Sequence, residues 1–289
     1  MPGPLLAIDG PFLLYRSFFA LPQSIVGVDG HPVGALLGAT NVILRIAAER
    51  SPRAIIVCWG AEAAAYRVAL YPGYHAERPP VPDALAWQFE QAPDLFAAFG
   101  WSSLSSPELE ADDLLGSLAA VEATAGGGAQ ILTGDRDMYQ CAGERISVLF
   151  LKMGSSGFED VDPAEVERRY GVPPELVPDF IALRGDPSDG LPGAPGIGAK
   201  TAADLLTRHG SLEAVIDTAD AERPRIAKAL RESAADLRAF RDIATLRATP
   251  VSRPQDRPTD LVGGAQAARR YGMNKLAERL EAADSLAAL

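Results

Sequence analysis

The sequence predicts an α/β protein, a mostly parallel sheet flanked by helices, followed by a wholly helical C-terminal region. Three observations predict it. Through the first half, short apolar runs of strand length alternate with segments whose apolar residues recur at helical spacing. Two of those runs end directly in aspartate, as strands do when they deliver side chains to the C-terminal edge of a parallel sheet. From Pro163 onward the periodicity is helical alone, interrupted by Gly and Pro.

The elements follow in order. Leu5-Leu6-Ala7-Ile8 reads as a buried strand ending at Asp9, and Ala54 to Trp59 as a second, ending at Gly60. Gln130 to Thr133 reads as a third, running into Gly134-Asp135-Arg136-Asp137, and Ile146 to Phe150 as a fourth. Between them, Ala35 to Ala48 carries Leu36, Leu37, Val42, Ile43 and Ile46 at helical spacing, and Asp112 to Val121 carries Leu114, Leu115, Leu118 and Val121. Residues 71–107 are rich in Pro, Tyr and charge around one helix near 83–99, and read as an insertion or mobile connection over the top of the sheet. Helices are expected near 163–170, 175–184, 199–209, 211–217, 223–231 and 233–246, then a proline-rich loop over 250–262 and a last helix. The division expected from this pattern is an α/β domain over 1–174 and a helical region over 175–289.

With 289 residues, 47% of them hydrophobic, the chain can bury a substantial core. Only four apolar residues separate Met1-Pro2-Gly3-Pro4 from Asp9, far short of a signal or membrane segment, so a cytoplasmic protein is expected. Cys58 and Cys141 have no partners at zinc spacing and read as structural. The net charge of −11 argues at first against a nucleic-acid partner. Its distribution changes that reading, because residues 1–189 hold 12 basic against 25 acidic side chains, whereas residues 190–289 hold 15 against 13. An acidic half can be a solvated surface or can hold a metal cluster.

Position favours the cluster. Asp9 follows the first strand, while Asp135 and Asp137 follow the third at a spacing that points both the same way if strand geometry continues. Glu110, Asp112 and Asp113 open a helix just after Ser105-Ser106-Pro107, where the macrodipole favours negative charge. Asp186 and Asp189 lie in Arg184-Gly185-Asp186-Pro187-Ser188-Asp189-Gly190. Any one of these groups alone reads as an ordinary helix start or turn. Together on one sheet edge they would repel strongly unless cations were bound, and magnesium suits an oxygen-only donor set. Two such ions about 3.5–4 Å apart can activate a water and stabilise a leaving oxygen, which implies metal-assisted phosphodiester hydrolysis.

These residues resemble the bacterial 5′ nucleases, the 5′-3′ exonuclease/flap endonuclease domain at the front of DNA polymerase I, here without a polymerase. The motifs are Ile8-Asp9-Gly10 with Tyr15-Arg16, Glu110-Ala111-Asp112-Asp113-Leu114-Leu115, Ile131 to Gln140, Gly185 to Asp189, and Gly193-Ala194-Pro195-Gly196-Ile197-Gly198-Ala199-Lys200-Thr201-Ala202. They fall in the family's order and spacing across about residues 5–280. The resemblance implies a PIN-like α/β domain, a helical arch that clamps a 5′ single strand, and a helix–two-turn–helix (H3TH) element. The implied activity is structure-specific cleavage of DNA at 5′ flaps and 5′ ends in replication and repair, by a monomer.

The resemblance also implies roles. Asp9, Glu110, Asp112 and Asp113 would surround one Mg2+ or Mn2+, and Asp135, Asp137, Asp186 and Asp189 a second, some through water. Gly196, Ile197, Gly198, Lys200 and Thr201 would grip duplex phosphates, since a glycine-rich turn at a helix start lets backbone N–H groups approach them; in the family such a turn also holds K+. Arg67, Arg78, Tyr74 and His75 match the arch base, where cationic and aromatic side chains steer the scissile phosphate, with Tyr74 either stacking on a base or packing within the arch. The runs Arg223/Arg225/Lys228/Arg231 and Arg238/Arg241 read as phosphate contacts or as solvated helix faces.

Three positions depart from the family pattern. Gly60 stands where a metal-binding Asp is usual, His75 where Lys is usual, and Gly190 where Asn is usual. Two readings follow: an active nuclease with altered metal dependence, or a relative that recognises flaps but cuts poorly.

Overall fold

The computed structural model describes residues 3–152 and 157–289. Its centre is a six-stranded sheet of β1 (Leu5–Asp9), β2 (Ala54–Trp59), β3 (Ser102–Ser105), β4 (Ala129–Thr133), β5 (Ile146–Leu151) and β6 (Phe158–Val161), in the order β3-β2-β1-β4-β5-β6. All neighbours are parallel except β5 and β6. The order reverses between β1 and β4, the switch point at which an open α/β sheet forms its ligand crevice beyond the strand ends.

Strand pleating explains how both faces are covered. Leu5, Ala7, Ala54, Ile56, Ala129, Ile131, Val148 and Phe150 face one core; Leu6, Ile8, Ile55, Val57, Leu132, Leu149 and Leu151 face the other. The second face carries α1 (Gly10–Ala20), α2 (Gly34–Arg50) and α4 (Asp83–Ala98). The first carries α5 (Ala111–Thr124) and much of the C-terminal helical region: α7 (Val177–Arg184), α8 (Ala199–His209), α9 (Leu212–Asp217), α10 (Pro224–Glu232) and α11 (Ala234–Ala244). Two short helices complete this part of the chain, α3 (Ala65–Leu70) after β2 and α6 (Pro163–Tyr170) after β6.

All four expected strands are present, and β3 and β6 are additional. Neither edge strand carries the apolar density that marks a strand in sequence: Ser102–Ser105 contributes only the half-buried Leu104 to the interior. The expectation for 71–107 needs correcting in part. Residues 83–98 are not a mobile connection, because Leu85, Ala92, Leu95 and Phe96 are all at most 1% exposed within the second core.

The helical region expected over 175–289 does not stay together either. After α11 the chain crosses the molecule in an extended strap held by Arg53, whose Nη1 donates to the Pro254 carbonyl (2.8 Å) and to Asp256 (2.7 Å). The Arg53 and Arg253 guanidiniums converge on the buried Glu122 carboxylate. Beyond the strap there are two helices rather than one, α12 (Leu261–Arg270) and α13 (Asn274–Ala282). Their small apolar residues Ala265, Ala267, Ala268 and Ala277 are buried in the second core. Small side chains allow a close approach, as at Gly264, which lies against the Phe99 ring.

Candidate functional site

Asp9 ends β1 and caps α1. Its Oδ1 accepts from the Phe12 N–H (3.0 Å) and its Oδ2 from the Thr133 hydroxyl (2.7 Å). Across the switch point, β4 delivers Asp135 and Asp137. Asp135 N–H donates to Thr133 Oγ1 (3.0 Å), and Asp135 Oδ1 accepts from Asp137 N–H (2.8 Å), which curls the chain into the 3-10 turn Asp137–Cys141. Asp112 projects from the first turn of α5. Asp186 and Asp189 come from the loop after α7, where Asp186 Oδ1 takes the Ser188 N–H (2.9 Å).

The electrostatics show that these six carboxylates share one space. Burial pushes Asp112 and Asp137 well above the ordinary carboxylate range, and the charges of their neighbours push them further: Asp135, Asp9 and Glu110 on Asp112; Asp135, Asp189, Asp186 and Asp112 on Asp137. Asp135 is pushed up to about 7, by burial first and then by Asp189, Asp9 and Asp186. Burial also raises Asp9. Such a group is short of positive charge. Among the described residues no three acidic, His or Cys side chains are closed into ligand geometry. Oxygen-only donors spread around a crevice fit hard divalent cations that keep several waters.

One of the expected metal ligands is committed elsewhere. Asp113 is fully buried and bonded on all sides: to Arg67 Nη2 (2.8 Å) and Nη1 (3.0 Å), Tyr66 hydroxyl (3.1 Å), Arg247 N–H (2.8 Å) and Glu110 N–H (3.3 Å). No lone pair is left for an ion, so the assignment of Asp113 as a ligand is corrected. Glu110 lies at the rim, with Oε1 accepting from Ala64 N–H (2.7 Å) and Oε2 from the Tyr74 hydroxyl (2.8 Å).

The same contacts correct the reading of Arg67 and select the packing alternative for Tyr74. Arg67 is 3% exposed and its Nε donates to the Ile243 carbonyl at the end of α11 (2.9 Å), so it joins α3, α5 and α11 rather than steering a phosphate. Burial acts to lower its pKa, and Glu110 and Asp113 more than reverse this. Tyr74 is 5% exposed, with its hydroxyl held by Glu110 and its ring covered by His75 at 3.8 Å, which leaves no face for a nucleobase. His75 and Arg78 do reach the crevice. The imidazole Nε2 lies 3.0 Å and the Arg78 guanidinium 3.3 Å from Asp189 Oδ1.

Glycines set two close approaches here. A Cβ on Gly60 would lie 2.6 Å from Glu110 Cα and closer still to Ala111 N, so the start of α5 occupies the place a side chain at 60 would need. Gly190 has φ +76° and a Cβ there would lie 2.5 Å from the Gly73 carbonyl oxygen, which lets the 71–78 stretch dock on the Asp189 loop.

The glycine-rich turn lies on the helical part of the molecule. Gly196, Gly198 and Lys200 are exposed and Thr201 is half-buried. Gly198 caps α8 without a side chain, so the first-turn N–H groups face outward. Arg225 from α10 lies over Gly196. Ile197 differs from expectation: it is 3% exposed, part of the first core, and its N–H is spent on the Ala194 carbonyl (3.0 Å), so it anchors the turn and does not face a duplex.

Sequence reasoning gave Thr133, Tyr66 and Arg247 no role. Only Thr133 carried a signal, a hydroxyl at the end of a strand that leads into two aspartates.

A family model for the 5′-3′ exonuclease N-terminal resolvase-like domain matches residues 4–171, and one for the 5′-3′ exonuclease C-terminal SAM fold matches residues 172–257. The chain belongs to the 5′-3′ exonuclease family. It is 35% identical to a 5′-3′ exonuclease of Mycobacterium tuberculosis, with 98% of each chain covered. It is also 35% identical to the DNA polymerase I of Mycobacterium bovis, where the match takes in 87% of this chain but spans only 28% of the relative. The fold matches that of the bacteriophage T5 flap endonuclease in a complex with DNA and metal ions, at a TM-score of 0.68 with 19% identity, covering 96% of this chain and 98% of that one. Among the described residues no helix is long and apolar enough to cross a membrane.

Proposed function

We propose that this 5′-3′ exonuclease family member is a monomeric, divalent-metal-dependent 5′ nuclease that hydrolyses DNA phosphodiesters at 5′ flaps and 5′ ends. The observation that carries this reading is the convergence of Asp9, Asp112, Asp135, Asp137, Asp186 and Asp189 on the switch-point crevice, where burial raises the pKa of four of them and the neighbouring carboxylates raise Asp112, Asp135 and Asp137 further. The bacteriophage T5 relative of the same fold, solved with DNA and metal ions, supports it. Bound Mg2+ or Mn2+ would supply an activated water and neutralise charge on the phosphodiester oxygens.

The remaining work falls to side chains. Asp9, Asp112, Asp135, Asp137, Asp186 and Asp189 would hold the ions, with Glu110 at the rim. Arg78, its side chain 40% exposed and beside Asp189, would meet a phosphate entering the crevice. Lys200 and the backbone of Gly196 and Gly198, with K+ at this turn, would hold the duplex without reading its sequence. Among the described residues no side chain is arranged as a covalent nucleophile.

A second reading rests on Gly60, whose neighbour α5 leaves no space for the carboxylate usual in the family. In that reading the chain recognises flaps and cuts poorly. An end-labelled 5′-flap duplex incubated with Mg2+ or Mn2+, beside a flapless duplex and a chelator control, separates the two. Metal-dependent cutting near the junction supports the nuclease. Tight flap binding with no cutting under either ion supports the second reading.

A further inference from the structure

We propose that Thr133 is a positioning residue of the acidic crevice, the hydroxyl that sets the orientation of the Asp9 carboxylate and the path of the Asp135 turn together. The parallel register pairs Ile8 with Leu132, so the next residues, Asp9 and Thr133, end their strands side by side. Thr133 is 0% exposed. A hydroxyl has one proton and accepts through its lone pairs. Here the proton goes to Asp9 Oδ2 (2.7 Å), and the oxygen accepts from Asp135 N–H (3.0 Å). Asp135 Oδ1 then takes Asp137 N–H (2.8 Å), and Asp9 Oδ1 takes Phe12 N–H (3.0 Å).

One unbroken run of hydrogen bonds thus links the start of α1, the end of β1, the end of β4 and the 3-10 turn. Each Asp9 oxygen spends one acceptor site within this run and keeps another free to face the crevice. Valine at 133 fits the same space but offers neither donor nor acceptor. It would leave Asp9 Oδ2 and the Asp135 N–H without partners and both carboxylates free to rotate. A hydroxyl that orients a ligating carboxylate typically changes ion affinity by roughly 10–100-fold.

This inference rests on the reading that the crevice binds divalent cations, and the experiment separates the two. Mn2+ is titrated calorimetrically into the full chain as wild type, Thr133→Val, Thr133→Ala and Thr133→Ser, and cleavage of the flap duplex is followed for each. The expected result is Mn2+ binding weakened roughly 10–100-fold in the valine and alanine variants, with kcat reduced, KM for DNA unchanged, and serine restoring both. Valine and alanine variants that bind Mn2+ as wild type does overturn the role of Thr133. A serine variant as impaired as alanine also overturns it, because the methyl group rather than the hydroxyl would then matter. Should valine prevent folding, the alanine and serine variants carry the same comparison. A wild-type chain that binds no Mn2+ takes down the cation reading itself, and this inference with it.

Discussion

Arg67 and Asp113 meet through two parallel hydrogen bonds, Nη2 to Oδ1 at 2.8 Å and Nη1 to Oδ2 at 3.0 Å, with side chains only 3% and 0% exposed. A third donor of the same guanidinium reaches the Ile243 carbonyl, so this pair ties the helical region to the helix that carries Asp112. Breaking a buried pair from one side strands the other charge and costs roughly 3–5 kcal/mol. Arg67→Met is therefore expected to lower stability by that order in a denaturant titration. Lost cleavage at unchanged stability would return Arg67 to a direct role at the phosphate.

The crevice should make stability depend on pH when ions are chelated. Asp135, pushed up to about 7, keeps its proton in the folded protein over a range where the unfolded chain has already released it. The folded state then binds more protons, so stability falls as pH rises from the ordinary carboxylate range through about 7. Thermal melts with chelator should show this fall, and Asp135→Asn should make it shallower, Asp112 and Asp137 still contributing, while abolishing cleavage and leaving flap binding intact. Protons compete with the ions for the same oxygens, so cleavage should rise with pH through about 7. A melting temperature that climbs with pH across that range would contradict the shared burial of these carboxylates.

Restoring the usual carboxylate by Gly60→Asp is not expected to improve activity. The new Cβ would overlap the backbone of Glu110 and Ala111. Forced repacking of this kind costs roughly 1–3 kcal/mol and would displace Asp112 with its helix. A lower melting temperature and slower cleavage are expected. Faster Mg2+-dependent cleavage at unchanged stability would show that the start of α5 yields.

Lys200→Ala should weaken binding to every duplex sequence alike and reduce the dependence of log affinity on log salt by about one, as the loss of one phosphate contact requires. Filter binding over a salt series on two unrelated sequences provides the check. A loss confined to one sequence would contradict the phosphate role.

Much of this arrangement was legible in the residues themselves. An unbroken apolar run placed Leu5 to Ile8 in a buried strand, and the aspartates at the ends of the first and third expected strands marked the sheet edge. The edge strands were not legible, because Ser102–Ser105 and Phe158–Val161 carry little apolar signal. Nor was the packing of α12 and α13 into the second core, since a helix face rich in alanine does not say which surface it will meet.

The sequence by itself determined the fold class, the family motifs and the set of acidic residues available at one edge, because residue type and period are local properties. Only the tertiary structure decided which of those acids remain free. Asp112 and Asp113 are adjacent in the chain, yet one shares the crevice with Asp135 and Asp9 while the other is sealed by Arg67, Tyr66 and the Arg247 N–H. Arg67, Tyr66 and Arg247, which seal this carboxylate, arrive from 46 to 134 positions away, and that distance can be closed only by folding.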